Sequence, residues 1–220
     1  MLTQNVHFFQ SFINLKNNKS SQESLLKHKE FRDFLLEKEG KTIKTVKLMA
    51  PHFISSISKP QRLLYDDPEY YVAQDTVTNT FYICFRRLCM IDVDFHEGDI
   101  EEQRNEFKRR LEGMCEPTWK LAVYRSRKGY HVFPIHMLFD CREEMVEFQL
   151  RLGCDFYYSV FTYLRGTSVR LNRKREDKFP LYKFDNFIGN GEADRDAMVL
   201  VKLHESLQAH FLSDGISKMK

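Results

Sequence analysis

The chain lacks any paired-cysteine motif. Its five cysteines (Cys84, Cys89, Cys115, Cys141 and Cys154) include no CxxC pair and no Cys/His ligand spacing, so no zinc site is expected. An odd, scattered set fits reduced thiols of the cytoplasm or nucleus better than a disulfide framework. The N-terminal stretch MLTQNVHFFQSFINLKNN has neither a basic leader nor a long apolar core, which argues against secretion. No apolar run approaches the roughly 20 residues that a membrane-spanning helix needs. A soluble intracellular protein with no membrane partner is therefore expected. Neither charge sign dominates either. Lys and Arg number 34 against 31 Asp and Glu, a net charge of +3, so any polyanionic partner must be met by a local basic cluster. Internal repeats and low-complexity tracts are also missing.

What is present is core-forming material. Apolar residues make up 42% of 220 and aromatics 14%, with 19 Phe, enough for one sizeable packed domain. KNNKSSQ (Lys16–Gln22) is a polar break before a helix expected from about Ser21 to Lys38. Ser20 and Glu23 have capping-box spacing there, and Gly40 is a stop. The pattern from Thr42 to Asp75 is mixed, with prolines at 51, 60 and 68. TFYICF (Thr80–Phe85) and LCMIDVDF (Leu88–Phe95) read as strands. Asp99–Met114 reads as a helix with Ile100, Phe107, Leu111 and Met114 on one face. WKLAVYRS (Trp119–Ser126) and YHVFPI (Tyr130–Ile135) form a hairpin around Arg127, Lys128 and Gly129. A helix capped by Asp140 and Glu143 follows, to about Leu152, and another spans Asp194–Leu212 with Leu200, Leu203, Leu207 and Phe211. This order predicts an α+β fold, an antiparallel or mixed sheet flanked by helices.

Three segments carry candidate chemistry. In CMIDVDF (Cys89–Phe95), strand alternation sends Ile91, Val93 and Phe95 to one face and Met90, Asp92 and Asp94 to the other. The two carboxylates then lie about 7 Å apart along the strand. Under an apolar layer such a pair is costly, and a hard divalent cation removes the cost; a solvated strand face accommodates it equally. In YRSRKGYHVF (Tyr124–Phe133), Ser126, Arg127, Lys128 and His131 gather a hydroxyl, two cations and an imidazole at a glycine turn suited to a phosphate chain. The same residues also make an ordinary basic hairpin. In Cys154–Lys178 an isolated acid, Asp155, sits among aromatics. Arg165, Arg170, Arg173, Lys174, Arg175 and Lys178 then crowd into fourteen residues. That composition suits a nucleic-acid backbone and its bases, or a solvated charged face.

Taken in order, these segments resemble the catalytic core of the archaeo-eukaryotic primase superfamily. The likeness rests on an hhhDhD strand, a serine-to-histidine hairpin, a later lone aspartate and an R-L segment, running from about Phe81 to Lys174. It implies a modified RRM-like sheet with a second small α/β unit. The whole chain would be one catalytic domain: residues 1–75 an N-terminal α/β portion, 76–190 the motif-bearing core and 191–220 a C-terminal helix. The resemblance implies that Asp92, Asp94 and Asp155 hold two Mg²⁺ or Mn²⁺ ions. It makes His131, with Ser126 and Lys128, the holder of a nucleoside triphosphate, joined by Arg170 and Lys174. Arg165, Arg173 and Arg175 would contact nucleic acid. Two departures are visible: Ser126 stands five residues before His131, where the family often has Ser-x-His, and no zinc module accompanies the core.

The implied activity is template-dependent nucleotidyl transfer, making or extending primers on DNA in replication or repair. A helicase or another replication protein would be its partner, as in relatives from viruses and mobile elements. Two other readings fit the same residues. One is a catalytically reduced primase-like accessory that only binds nucleic acid. The other is a two-metal nuclease, which would leave His131, Lys128 and Arg170 without a role.

Overall fold

The computed structural model describes residues 61–76, 78–95, 98–155, 158–159, 161–162, 166–172 and 182–213. The chain divides into Met1–Pro60 and Gln61–Lys220, and every described residue belongs to the second unit. The helix expected over Ser21–Lys38 lies outside the described residues.

The fold is α+β, with two four-stranded antiparallel sheets. Strands β1 (Gln61–Asp66), β2 (Tyr70–Asp75), β3 (Thr80–Phe85) and β7 (Thr167–Arg170) form the first sheet, in the order β1-β2-β3-β7. Strands β4 (Ile91–Asp94), β5 (Leu121–Ser126), β6 (Gly129–Pro134) and β8 (Tyr182–Ile188) form the second, in the order β4-β6-β5-β8. The longer helices among the described residues are α1 (Ile100–Met114), α2 (Arg142–Arg151) and α3 (Arg195–Ser213). The mixed stretch before residue 76 thus contributes β1 and β2, which pair in sequence with β3. Among the described residues no helix is long and apolar enough to cross a membrane.

Two cores explain the layering. Ile83 and Phe85 from the first sheet meet Ala122, Tyr124 and Phe133 from the second, and Ala197, Leu200 and Val201 of α3 pack into the same cluster. The other face of the second sheet presents Ile91, Val93, Val123 and Val132 to Phe107 and Leu111 of α1. Each Ile, Val, Leu or Phe side chain among them, removed from water, contributes on the order of 1.5–3 kcal/mol. Alternation along β4 therefore holds, with Ile91 and Val93 buried and Asp94 exposed. The ladder is shorter than the expected Leu88–Phe95, because Leu88, Cys89 and Met90 are buried in the approach to β4 without joining it.

Local signals account for the helix starts, with one exception. The Asp99 carboxylate caps α1 by accepting from the amides of Glu101 and Glu102. Asp194 does the same for α3, accepting from the Ala197 amide at 2.8 Å. For α2 the N-cap is Cys141, which makes no side-chain cap bond. Asp140, expected as the cap, is paired instead with Arg87 at 3.2 Å.

Candidate functional site

The site grows from an edge strand. Asp92 of β4 lies opposite His131 of β6, and His131 lies opposite Tyr124 of β5. Cross-strand partners share a face, so the first carboxylate and the imidazole point the same way. One step along, Asp94 lies opposite Gly129, while Ser126 lies opposite Tyr182 of β8. The glycine between Asp94 and Ser126 is a packing requirement. A Cβ at position 129 would stand 1.7 Å from the Val93 carbonyl oxygen.

The outer edge of β4 meets the chain leaving α2. The Asp92 amide donates to the Cys154 sulfur at 3.2 Å, and the Asp155 amide donates to the Asp92 carbonyl at 2.7 Å. Both backbone groups of Asp92 thus point away from β6. That makes Asp92 and His131 the closer, non-hydrogen-bonded kind of antiparallel pair. Their side chains accordingly meet, with His131 Nε2 3.3 Å from Asp92 Oδ1 at 17% and 26% side-chain exposure. The same two bonds set Asp155 beside Asp92, although more than sixty positions separate them in sequence.

The hairpin tip is held from behind by a buried arginine. Arg104 of α1 is 4% exposed, and its guanidinium donates to the Ser126 carbonyl at 2.8 Å and the Arg127 carbonyl at 3.0 Å. Glu101 balances its charge at 2.6 Å. The Ser126 hydroxyl accepts from the Gly129 amide at 3.0 Å, so it closes the turn. Arg127 and Lys128 are exposed at the tip.

Tyr182 connects the two sheets. Its ring centroid lies 5.0 Å from that of His131 and 4.6 Å from that of His204, on which it stacks. Its hydroxyl lies 3.3 Å from the Arg170 carbonyl oxygen and also contacts His204 Nε2. Burial is the main reason the Tyr182 phenol is held well above its ordinary pKa, so it keeps its proton. Burial and the neighbouring His131 push His204 down to about 3.

Of the residues singled out in the sequence, Asp92, Asp94, Asp155, Ser126 and His131 lie on or beside one end of the second sheet. Arg170 belongs to the first sheet, opposite Tyr82, and its carbonyl oxygen accepts from the Tyr182 hydroxyl at 3.3 Å. Lys174, Arg165, Arg173 and Arg175 lie outside the described residues. Arg104, Cys154 and Tyr182 were not singled out. For Arg104 a signal existed, since it falls three positions before Phe107 on the buried face of α1. Cys154 and Tyr182 carried none, because their roles depend on partners distant in sequence.

Whether these residues suit a divalent cation is a question of donors and their aim. Carboxylate oxygens are the donors that Mg²⁺ and Mn²⁺ take, and the Asp92–Asp155 backbone bond draws two of them together. The side chains meanwhile have protein partners: Asp92 faces His131, and Asp155 Oδ1 accepts from the Tyr158 amide at 2.8 Å. Among the described residues no three His, Cys, Asp or Glu side chains already converge as a metal group. The donor chemistry fits.

The fold and site thus define an α+β protein with an aspartate pair on an edge strand beside a cationic hairpin. Compared with protein-family models, curated protein sequences and solved structures, the chain matches none.

Proposed function

We propose that the chain is a template-dependent nucleotidyltransferase of primase-polymerase type, which makes or extends primers on DNA from nucleoside triphosphates. The observation that carries this reading is the register of β4 and β6. It sets Asp92 against His131 and Asp94 beside the Ser126–Gly129 turn, with Asp155 tied to the Asp92 backbone.

Asp92, Asp94 and Asp155 would hold the Mg²⁺ or Mn²⁺ ions, which when bound supply a more acidic primer 3′-hydroxyl and charge neutralisation on the triphosphate. The remaining residues act by charge and position. Lys128 would offer N–H donors to phosphate oxygens from the hairpin side and Arg170 from the other sheet, and His131 would join them once its Nε2, which faces Asp92, is released. In that cradle the 3′-hydroxyl gives up its proton to solvent, its oxygen attacks the α-phosphorus in line, the bond to the β-phosphate oxygen breaks, and pyrophosphate leaves. The cations offset the charge that grows on the leaving group. A nuclease would need the carboxylates but not this second set.

The test is incubation with a labelled primer–template and Mn²⁺, with and without nucleoside triphosphates. Extension only in their presence supports the proposal, whereas shortening without them points to a nuclease. Asp92→Ala and Asp94→Ala should each abolish extension while leaving the chain folded, because neither truncation opens a core cavity. Asp92→Ala alone should also lower stability by about 1 kcal/mol, since it takes away the partner of His131. Extension at the wild-type rate in either variant would refute the carboxylate assignment.

A further inference from the structure

His131 and Arg170 are proposed to grip one triphosphate, yet they stand on different sheets. Something must hold the spacing between them. We propose that Tyr182 is the positioning residue that does so, its ring setting the His131 imidazole against Asp92 and its hydroxyl tying down the Arg170 backbone. The proposal rests on the nucleotide-binding reading above and adds a residue to it.

Tyr182 is 6% exposed and His204 fully buried. The tyrosine therefore lies behind His131, where it can move the imidazole but does not present a surface to a nucleotide. Its ring touches three aromatic neighbours, His131, His204 and Tyr124, with centroids at 5.0, 4.6 and 6.1 Å. Such packing fixes the ring plane, and the plane limits the rotamers open to His131.

The hydroxyl has one proton and two neighbours, so its direction must be decided. A neutral His204 carries a single ring N–H. If that hydrogen is on Nε2, His204 donates to the phenol oxygen and the phenol proton is free to reach the Arg170 carbonyl. If it is on Nδ1, the phenol must donate to His204 instead. His204 Nδ1 is buried and has no hydrogen-bond partner among the described residues. A buried orphan N–H is rarer in proteins than a buried orphan acceptor. The Nε2–H tautomer follows, and with it a directed chain from His204 through Tyr182 to the Arg170 carbonyl. The Arg170 peptide is then anchored to the same side chain that packs on His131.

Two substitutions separate the ring from the hydroxyl. Tyr182→Phe keeps the ring and deletes both contacts of the hydroxyl, to the Arg170 carbonyl and to His204. It should raise KM for the nucleoside triphosphate by about five-fold, the worth of one neutral hydrogen bond, with the effect on KM and not on kcat. In NMR spectra of the full chain without nucleotide, the Arg170 carbonyl ¹³C resonance should shift in this variant while the His131 ring protons keep their wild-type positions. Tyr182→Leu removes the ring as well, and the His131 ring-proton resonances should move because the ring current of Tyr182 is lost. An unshifted Arg170 carbonyl in Tyr182→Phe, or unmoved His131 protons in a folded Tyr182→Leu, would overturn the proposal. Should the leucine variant not fold, the phenylalanine variant decides through the Arg170 carbonyl alone. If the wild-type chain neither binds nor uses triphosphates, the nucleotidyltransferase reading fails, and the two NMR measurements still decide whether Tyr182 positions His131 and Arg170.

Discussion

Acid should weaken this fold through one side chain in particular, His204. The imidazole is fully buried between Tyr182, Tyr124, Phe85 and Phe133. Burial is the largest cause of its low pKa, and His131 adds repulsion; together they bring it from 6.5 to about 3. The unfolded chain therefore binds a proton at His204 that the folded chain refuses. Stability rises with pH wherever the unfolded state binds more protons. The contribution of this residue is complete above the unfolded value, and it is lost as pH falls through the window from 6.5 towards 3. Between pH 7 and pH 4 that difference amounts to about 3 kcal/mol, from the two-state proton linkage expression. Carboxylates elsewhere also respond to acid, so the informative comparison is with His204→Gln, whose amide can still donate to the Tyr182 oxygen. Urea unfolding at both pH values gives four free energies. The wild type should lose about 3 kcal/mol more than the variant. Equal losses in the two proteins would refute the buried, neutral state of His204 and with it the hydrogen-bond direction assigned above.

Two further predictions concern the hairpin. Arg104→Met keeps the packing of the stem but deletes the guanidinium bonds to the Ser126 and Arg127 carbonyls. It should cost about 2 kcal/mol and speed amide hydrogen exchange at Lys128 and Gly129; unchanged exchange there would show that the arginine does not hold the tip. Gly129→Ala drives a Cβ to 1.7 Å from the Val93 oxygen and 2.7 Å from its carbonyl carbon, both backbone atoms. The β4–β6 register cannot absorb that, and a loss of about 3 kcal/mol in urea unfolding is expected. A stable alanine variant would mean that the strands lie further apart than described.

Periodicity made several elements readable. β3, α1 and α3 repeat their apolar positions cleanly enough to be placed to within a residue or two. Others resisted for physical reasons. The second core strand reads as eight residues, yet only Ile91–Asp94 form a ladder, since burial of Leu88, Cys89 and Met90 by packing looks the same in sequence as burial by pairing. β8 hides its period because a bulge between its pairings with Val123 and Tyr124 leaves Asp185 extra. Phe184 and Phe187 then fall on one face despite their odd separation. β7 is four residues set in a basic stretch, TSVR, with too short a period to see.

What the sequence determined by itself is the face shared by Asp92 and Asp94. Alternation is a local consequence of the extended backbone and needs no partner strand. Tertiary structure alone decided everything that brings other groups to that face. It chose His131 as the partner opposite Asp92, turned the Asp92 backbone outward to Cys154 and Asp155, and set Tyr182 between His131 and Arg170. These are choices of register between segments far apart in the chain. Register follows from which strands pair and which side chains fill the cores between them, and no local pattern contains it.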